Sequence, residues 1–472
     1  MECRLPSISL AFCLLTLMSL AQWQMLAADT LHWNTNNNRV SADIASAPLL
    51  RALEGVSHLT GWHVFLESNA SRNVSAKFSD LPSGEALRIL LGNLNFALVP
   101  GSNSPARLYV FHTLQRNATL RVQPGAISAA SQKSKPILNE LELILRPGAS
   151  LGNLPCLENA KVLGRIDSIN AYRLQLNDEA SAQAVRECLA NHPDVESIES
   201  SYAIERPDGA QQLAQSGSAD FDLQLKEPTG DCAPIVAVLD TRGMQSVPKE
   251  YAKFLLPGLS VIDSANREGA AAPVSAGELT HGLAMVHTVL QSVQTTTSSG
   301  SSGVRVLPVD IYGNNPTTST FDVARGIQQA VNNGANIINM SLGSNGDSTV
   351  LHNLIKKASD QGVVFFGAAG NEPVTTPVYP AAYPEVVAVT AGNRAGQVAD
   401  YANRGAFVDL MTPGTTVISL DGKSYVMNGT SAATAYASGI AAALADMNRN
   451  CPPGVIPTMK SKLGVTSVPQ AY

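Results

Sequence analysis

The sequence of 472 residues has no long run of basic residues, and its formal net charge is −6. It therefore lacks both the positive footprint of a nucleic-acid-binding protein and the polybasic patch of a membrane-surface protein. It has no Cys-x-x-Cys pair and no histidine cluster at metal-ligand spacing, so zinc binding is not indicated. Beyond the first 27 residues no stretch offers 18 uninterrupted apolar residues, so we expect no membrane span in the mature protein.

What the sequence does contain is enough material for two or three domains. Hydrophobic residues make up 44% and charged residues 15%, which is typical of globular proteins. The first residues differ, because Arg4 precedes an apolar stretch from Ile8 to Leu20 and the small pair Ala27-Ala28 follows. This pattern predicts a secretory signal peptide over residues 1–27 and a soluble protein that is periplasmic or secreted.

Export bears on the cysteines, because an oxidising compartment favours disulfides. Two of the six cysteines fall within the signal peptide, and the remaining four allow three pairings. Cys156 and Cys188 lie in one region of the chain, whereas Cys232 and Cys451 bracket the C-terminal region. We predict these two pairs as disulfides.

Residues 28–115 alternate between strand-like and helical patterns. RVSADIASAP, WHVFLE, FALVP and RLYVFH are strand-like, and PLLRALEGVSHLTG and GEALRILLGNLNF have the period of amphipathic helices. The stretches APLLRAL, TGWHVFLES and VSAKFSDLPSGEALRILL resemble the secretin and TonB short N-terminal domain. The resemblance implies docking to another protein of the cell envelope. A small α/β unit that merely flanks the rest of the chain is the alternative.

A Ser-, Ala- and Gln-rich linker is predicted over residues 116–136. Residues 137–207 then give the strand ELELILRP, the helix SLGNLPCLENA, the strands KVLGRI and AYRLQLN, the helix SAQAVRECLANHP and the strand VESIESSYAIERP. This βαββαβ order is that of a ferredoxin-like unit. It resembles the propeptide of subtilisin-type proteases, which implies a chaperone and inhibitor whose last strand leads into the active site. Residues 208–231 are predicted to be a second, exposed linker that contains the processing site.

The C-terminal region, residues 232–472, carries candidate catalytic residues at the ends of predicted elements. APIVAVLDTRG is an apolar strand that ends at Asp240, and in GELTHGLAMV Thr280 can cap a helix that starts at His281. VVFFGAAGNEP ends in a turn with Asn371, whose amide can donate to a developing oxyanion. In NGTSAATAYASG, Ser431 opens a helix beside free backbone N–H groups. Each of these residues alone is more often structural than catalytic.

Together, Asp240, His281, the INMSLG strand, Asn371 and Ser431 occur in the order and approximate separation of a subtilase, and the region from Cys232 to about residue 450 resembles that family. The resemblance implies an α/β fold: a three-layer αβα sandwich with a mainly parallel sheet, preceded by two small α+β domains. It implies a serine endopeptidase that cleaves protein or peptide substrates. Ser431 would be the nucleophile, His281 the general base and Asp240 the residue that orients the imidazole.

The resemblance also assigns the groups around the triad. Asn371 and the Ser431 N–H would form the oxyanion hole. An apolar specificity pocket would be lined by Ser341, Leu342, Gly343, Ala368, Ala369 and Gly370, with Val378 near its base.

Three residues depart from the family pattern. Leu283 stands in place of Thr after His-Gly, Ala432 in place of Met after the serine, and Ala435 in place of Pro in the following helix. The loop 291–303 falls where many relatives bind structural calcium, but it has no carboxylate, so the sequence supports neither calcium nor another cofactor. One alternative of another class stays open: an inactive subtilase fold that acts with the N-terminal domain as an envelope docking module.

Overall fold

The computed structural model describes residues 30–35, 37–67, 73–100, 106–111, 118–122, 135–213, 223–227, 233–242, 249–262, 279–297, 299–420, 422–448 and 451–465. The predicted signal peptide and Cys232 lie outside these ranges. The chain forms two compact units, Met1–Ala130 and Ser131–Tyr472. Among the described helices, none combines the length and the apolarity that a membrane crossing requires.

The described part of the N-terminal unit contains two sheets and two helices. The strands are β1 (Thr30–Asn34), β2 (Arg39–Pro48), β3 (His63–Glu67), β4 (Asn73–Pro82), β5 (Asn95–Val99), β6 (Arg107–Phe111) and β7 (Ala118–Val122), and the helices are α1 (Leu49–Thr60) and α2 (Ser83–Leu91). The sheet orders are β1-β2-β4 and β5-β6-β3-β7. One boundary prediction is wrong, because β7 lies within the predicted linker 116–136 and pairs with β3. A five-residue strand between polar flanks gives too short an alternation to be recognised in the sequence.

The second unit begins with a four-stranded antiparallel arrangement. It comprises β8 (Pro136–Leu145), β9 (Lys161–Ile166), β10 (Ala171–Gln175), α3 (Glu179–Leu189) and β11 (Val195–Glu205), in the sheet order β11-β8-β10-β9. The predicted helix SLGNLPCLENA is wrong, since only Leu151–Asn153 forms a 3₁₀ turn. Leu154 is already extended, with φ −86° and ψ 138°, as the residue before a proline prefers. A disulfide joins Cys156 in this segment to Cys188 on α3.

The remainder of this unit is built on a seven-stranded sheet in which every neighbouring pair is parallel. Its order is β15-β17-β14-β19-β20-β21-β22. The strands from here to the C-terminus are β12 (Gln211–Gln212), β13 (Gln224–Leu225), β14 (Ile235–Asp240), β15 (Leu259–Ser260), β16 (Ser301–Ser302), β17 (Arg305–Asp310), β18 (Thr317–Ser319), β19 (Ile337–Met340), β20 (Val364–Ala368), β21 (Val386–Gly392), β22 (Leu410–Pro413), β23 (Thr415–Leu420) and β24 (Lys423–Asn428). The helices are α4 (Lys249–Ala252), α5 (His281–Thr296), α6 (Thr320–Asn332), α7 (Thr349–Asp360), α8 (Thr430–Asn448) and α9 (Ile456–Leu463).

Two hydrophobic cores cover the two faces of this sheet. Val236 and Val238 of β14 face a core that includes α5 and α8, whereas Ala237 and Leu239 face a core that includes α6 and α7. Because successive side chains of a strand point to opposite faces, the nearly unbroken apolar run of β14 is what a sheet covered on both sides requires. The predicted α/β fold, a three-layer αβα sandwich with a parallel sheet, is confirmed.

The predicted exposed linker 208–231 is in part ordered against the sandwich, so its description as a plain linker is wrong. β12 pairs with β24, and β13 pairs with β16. Leu223 is fully buried between these two pairings. The predicted loop 291–303 likewise starts as helix, because α5 continues to Thr296. Polar composition concealed both features, since short strands that pair through their main chains do not need an apolar pattern.

The pairing of Cys232 with Cys451 stays a prediction, because Cys232 lies outside the described residues, although Cys451 is itself disulfide-bonded. We expect peptide mapping under non-reducing conditions to recover one peptide pair with Cys156 and Cys188 and another with Cys232 and Cys451. A crossed pair, such as Cys188 with Cys232, would contradict both assignments.

Candidate active site

The polar residues singled out in the sequence lie together at the carboxyl ends of the parallel strands. Asp240 is the last residue of β14, Ser341 follows β19 directly, and Asn371 comes three residues after β20. β19 lies between β14 and β20 and pairs with both. The carboxyl ends of parallel strands meet at the same edge, so these three positions become neighbours although 131 residues separate the first from the last.

His281 contacts Asp240 through a buried hydrogen-bonded pair. The imidazole Nδ1 lies 2.8 Å and 2.9 Å from the two carboxylate oxygens, and the residues are 4% and 2% exposed. A carboxylate only accepts, so Nδ1 carries the proton and Nε2 is left as the basic nitrogen. Thr280 caps α5 by accepting from the Leu283 N–H over 3.3 Å, which starts the helix at His281 as the sequence predicts.

Thr241 holds this pair together, and the sequence analysis missed it. Its N–H donates to Asp240 over 2.6 Å, and its hydroxyl accepts from the Gly282 N–H over 2.9 Å. A Cβ atom at Gly282 would overlap the carbonyl of Thr241. The sequence feature that could have revealed this contact is Gly282, directly after the candidate histidine, because a glycine allows another segment of backbone to approach closely.

Ser431 is the second residue of α8 and is half-buried. Its hydroxyl donates to the main-chain carbonyl of Ser341 over 3.3 Å. Among the hydrogen bonds of the described residues, none joins Ser431 to His281. Catalytic hydrogen bonds are often unformed in a ligand-free site, and a rotation about the Cα–Cβ bond redirects the hydroxyl.

Thr430 fixes the orientation of Asn371. The Asn371 Oδ1 accepts from the Thr430 N–H over 2.8 Å and lies 3.0 Å from the Thr430 hydroxyl. A backbone N–H can only donate, so the atom that faces it is the amide oxygen and the NH₂ group points away as a donor. Thr430 was not among the predicted site residues, because its side chain acts only through Asn371.

Val378 occupies the space beside the predicted specificity pocket. A Cβ atom at Gly343 would lie 2.6 Å from Val378 Cγ1, and the carbonyl of Ala368 would be 3.9 Å away. Ser344 and Tyr379, the residues that follow Gly343 and Val378, form an antiparallel bridge through two hydrogen bonds of 2.9 Å and 2.8 Å. Gly343, which follows β19, therefore lies close to both Val378 and the end of β20.

An ion pair lies beside the loop 291–303, the segment considered for calcium in the sequence. Lys226 Nζ is 3.3 Å from the buried carboxylate of Asp446, which also accepts from the hydroxyl of Ser302 and the N–H of Gly303. Among the described residues there is no group of three His, Cys, Asp or Glu side chains placed to hold a metal ion.

The segment that follows β11 runs past the carboxyl end of the sheet, where Asp240 and Ser341 lie. The end of β11 pairs with β18, and the Arg206 N–H donates to the carbonyl of Pro316 over 2.8 Å. The Ala210 N–H then donates over 3.2 Å to Leu279, two residues before the histidine. β12 finally pairs antiparallel with β24, the strand that leads into Ser431. We call residues 206–213 the strap.

Two glutamates of the β8–β11 sheet accept hydrogen bonds at the N-termini of helices of the sandwich. Glu142 accepts from the hydroxyls of Thr320 and Ser348 over 2.5 Å and 2.6 Å, at the N-termini of α6 and α7, and from Ser201 over 2.9 Å. Glu199 accepts from the N–H and the hydroxyl of Thr349. Negative groups are stabilised at helix N-termini, so these contacts orient the sheet on α6 and α7.

Burial of these carboxylates changes their titration. Burial raises the pKa of Glu142 to about 7 even though three hydroxyls donate to it, and nearby Glu199 adds to the rise. Burial also raises the pKa of Glu199 and that of Glu140, although Glu140 is paired with Arg173 at 2.7 Å. Contact between the sheet and the sandwich therefore favours the protonated form of all three groups.

Comparison with known proteins agrees with this geometry. Residues 232–463 match the profile of the subtilase family, Peptidase S8. The chain is 29% identical over 284 residues to a thermophilic serine proteinase of Bacillus sp. strain AK1, an alignment that covers 57% of this chain and 68% of the relative. It is 42% identical over 126 residues to a subtilisin of Bacillus pumilus, which covers 25% of this chain and 46% of the relative.

Two solved structures of the epidermin leader peptide processing serine protease (EpiP) from Staphylococcus aureus have TM-scores of 0.52 and 0.51. At 17% and 15% identity they cover 67% and 69% of this chain and 92% of each solved chain, and they support the fold. Residues 232–463, just under half of the chain, therefore match the subtilase family, and the protein is a serine-type endopeptidase.

Proposed function

We propose that this endopeptidase acts through a triad of Asp240, His281 and Ser431 and is made as a self-processing, exported zymogen. The observation that carries the proposal is the buried contact of 2.8 Å between His281 Nδ1 and Asp240, at the end of the sheet where Ser431 lies in the first turn of α8. The contact fixes the tautomer in which Nε2 can take a proton.

In the proposed reaction, His281 removes the proton of the Ser431 hydroxyl as the oxygen attacks the scissile carbonyl carbon. Asp240 stabilises the resulting imidazolium, which then protonates the leaving amine and leaves an acyl-enzyme. A water molecule repeats the sequence in the second half and releases the acid. Each proton passes through His281, so the enzyme returns to its starting state.

The oxyanion formed at each half-reaction would be stabilised by the Asn371 NH₂ group and the Ser431 N–H. The Asn371 donor is already oriented by Thr430, and the Ser431 N–H lies in the first turn of α8, where it has no partner within the helix. A donor of this kind contributes about 3 to 4 kcal/mol of transition-state stabilisation.

Two features support the zymogen proposal: the strap, and the hydrogen bonds that Glu142 and Glu199 accept at the N-termini of α6 and α7. Residues 137–207 would act as inhibitor and chaperone, and the strap would be presented to the triad at a high effective concentration. The N-terminal unit would dock to an envelope protein. A pull-down with residues 28–130, which include β7, tests that part, and recovery of no envelope protein above an empty-resin control would refute it.

We expect the wild-type chain, produced in an oxidising compartment, to cut itself between Arg206 and Asp231 and to yield a fragment of about 240 residues. Ser431→Ala should remain full length apart from removal of the signal peptide, because the nucleophile is missing. Mass spectrometry of both proteins measures this, and a fluorophosphonate probe should label only the wild type.

Two outcomes would contradict this proposal. If both chains stay intact while folded and neither reacts with the probe, the triad is not functional. That result would favour the alternative, an inactive fold that acts as an envelope docking module. If both chains are cut alike, another protease performs the processing.

We expect the processed inhibitor to dissociate more readily as the pH rises. A free inhibitor would expose Glu142, whose ordinary pKa is near 4.5, whereas in the complex the pKa is about 7. Between about pH 4.5 and about pH 7 the complex therefore binds one proton more than the separated fragments. The resulting stabilisation of the complex is fully present below about pH 4.5 and is lost as the pH rises through about 7. The inhibitor's dissociation constant should increase about tenfold per pH unit within this window.

Glu142→Gln should remove most of this pH dependence and keep the inhibitor bound at pH 8, because the amide stays neutral. Co-elution of the two fragments at pH 5 and pH 8, and the onset of peptidase activity, provide the measurement. Glu196→Gln is the control, since Glu196 is exposed on β11, the strand that pairs with the Glu142 strand β8. Equal dissociation of wild type and Glu142→Gln at both pH values would argue against the proposal.

The position of Val378 predicts a preference for small apolar side chains before the scissile bond. Val378→Gly should raise kcat/KM for a peptide with phenylalanine at that position about tenfold or more relative to the matching alanine peptide, because space is opened beside Gly343. Rates of chromogenic peptides that differ only at this residue measure the effect. An unchanged ratio would place the pocket elsewhere.

A further inference from the structure

Ser341 contacts the proposed nucleophile at two points. Its hydroxyl donates to the main-chain carbonyl of Ser431 over 3.0 Å, and its own carbonyl accepts from the Ser431 hydroxyl over 3.3 Å. Ser341 is 1% exposed, so water scarcely competes for its side chain. The serine after β19 and the serine at the start of α8 therefore form a reciprocal pair.

Asn339, two residues earlier, sets the direction of this pair. Its Nδ2 donates to the Ser341 hydroxyl over 3.0 Å, and its Oδ1 accepts from Ser438 on α8 over 3.1 Å. A hydroxyl has one proton, and with Asn339 as its donor Ser341 directs that proton to Ser431. Asn339 is fully buried, so the arrangement is held in the core.

The carbonyl of Ser431 does not need the hydroxyl of Ser341 as its partner. In α8 the N–H four residues on belongs to Ala435, which supplies the regular helical hydrogen bond that a proline there could not. The bond from Ser341 is thus an additional restraint on the peptide group that follows the nucleophile. The peptide group before it is restrained similarly, since the Thr434 hydroxyl donates to the Thr430 carbonyl over 2.7 Å.

We propose that Ser341 is a positioning residue for the peptidase reaction, whose hydroxyl holds the main chain of Ser431 in place for attack. The proposal rests on the assignment of Ser431 as nucleophile. By fixing the carbonyl of Ser431, the restraint limits movement of its Cα and of the N–H that faces the oxyanion. Misplacement of a nucleophile affects the chemical step more than substrate binding.

The test compares processed wild type with Ser341→Ala. We expect kcat to fall about tenfold, the factor that corresponds to loss of one neutral hydrogen bond from the transition state, while KM stays within about twofold. The rate of labelling by a fluorophosphonate should fall by a similar factor. Ser341→Cys, which keeps a weaker donor, should lie between alanine and wild type.

Ser292→Ala is the matched control. The buried hydroxyl of Ser292 donates to the carbonyl of Tyr436 over 2.8 Å, so this variant also loses one bond to α8, but five residues beyond the nucleophile. Both variants should lower the thermal unfolding midpoint by similar amounts, and only Ser341→Ala should lose kcat.

Equal kcat values for Ser341→Ala, Ser292→Ala and wild type would overturn the inference, as would a raised KM with unchanged kcat in Ser341→Ala. If wild type and Ser292→Ala neither label nor cleave peptides, the assignment of the nucleophile fails, and the positioning role fails with it. If the wild type is active and Ser341→Ala has the same kcat, only the positioning role of Ser341 is refuted, and the assignment of the nucleophile stands.

Discussion

The parallel pairing of β14 with β19 and of β19 with β20 is the constraint on which the site depends. It aligns three strand ends, and so brings together a carboxylate, a serine and an amide that are far apart in the chain. The strands can be this apolar because helices cover both faces of the sheet. Polar groups are then confined to the strand ends, where Asp240 and Ser341 are buried and hydrogen-bonded and Asn371 is exposed.

The helices that carry His281 and Ser431 follow from the same arrangement. Both α5 and α8 begin at the carboxyl end of the parallel sheet and pack against each other in one core. The many small residues of α8 allow a close approach, and a Cβ atom at Gly439 would lie 2.5 Å from the carbonyl of Val289. The site is therefore stabilised by the packing of α5 against α8 and by the hydrogen bonds of Thr241, Thr430 and Ser341.

The sequence was sufficient to predict the features that rest on local pattern. The apolar run of β14, the cap at Thr280 and the glycine-rich turn at Asn371 led to the correct architecture and to residues that the structure brings to one edge. Features set by tertiary contact could not be predicted. Glu142 and Asn339 occur in ordinary strand patterns. Only the fold shows that Glu142 accepts hydrogen bonds at the N-termini of α6 and α7 and that Asn339 contacts Ser341. Proline and a preceding extended residue overrode the helical period of the segment around Cys156.

The pairing of β13 with β16 bears on what would remain if residues 137–207 dissociate as the proposed inhibitor. Leu223 is fully buried, Lys226 reaches the buried Asp446, and the Gln224 N–H donates to the carbonyl of Gly300. Removing these contacts would expose apolar surface and leave a charge in the interior without its counter-ion. The stretch from Leu223 onward is thus held to the sandwich by buried contacts in addition to its strand pairing. A cut between the strap and Leu223 would leave these contacts in place.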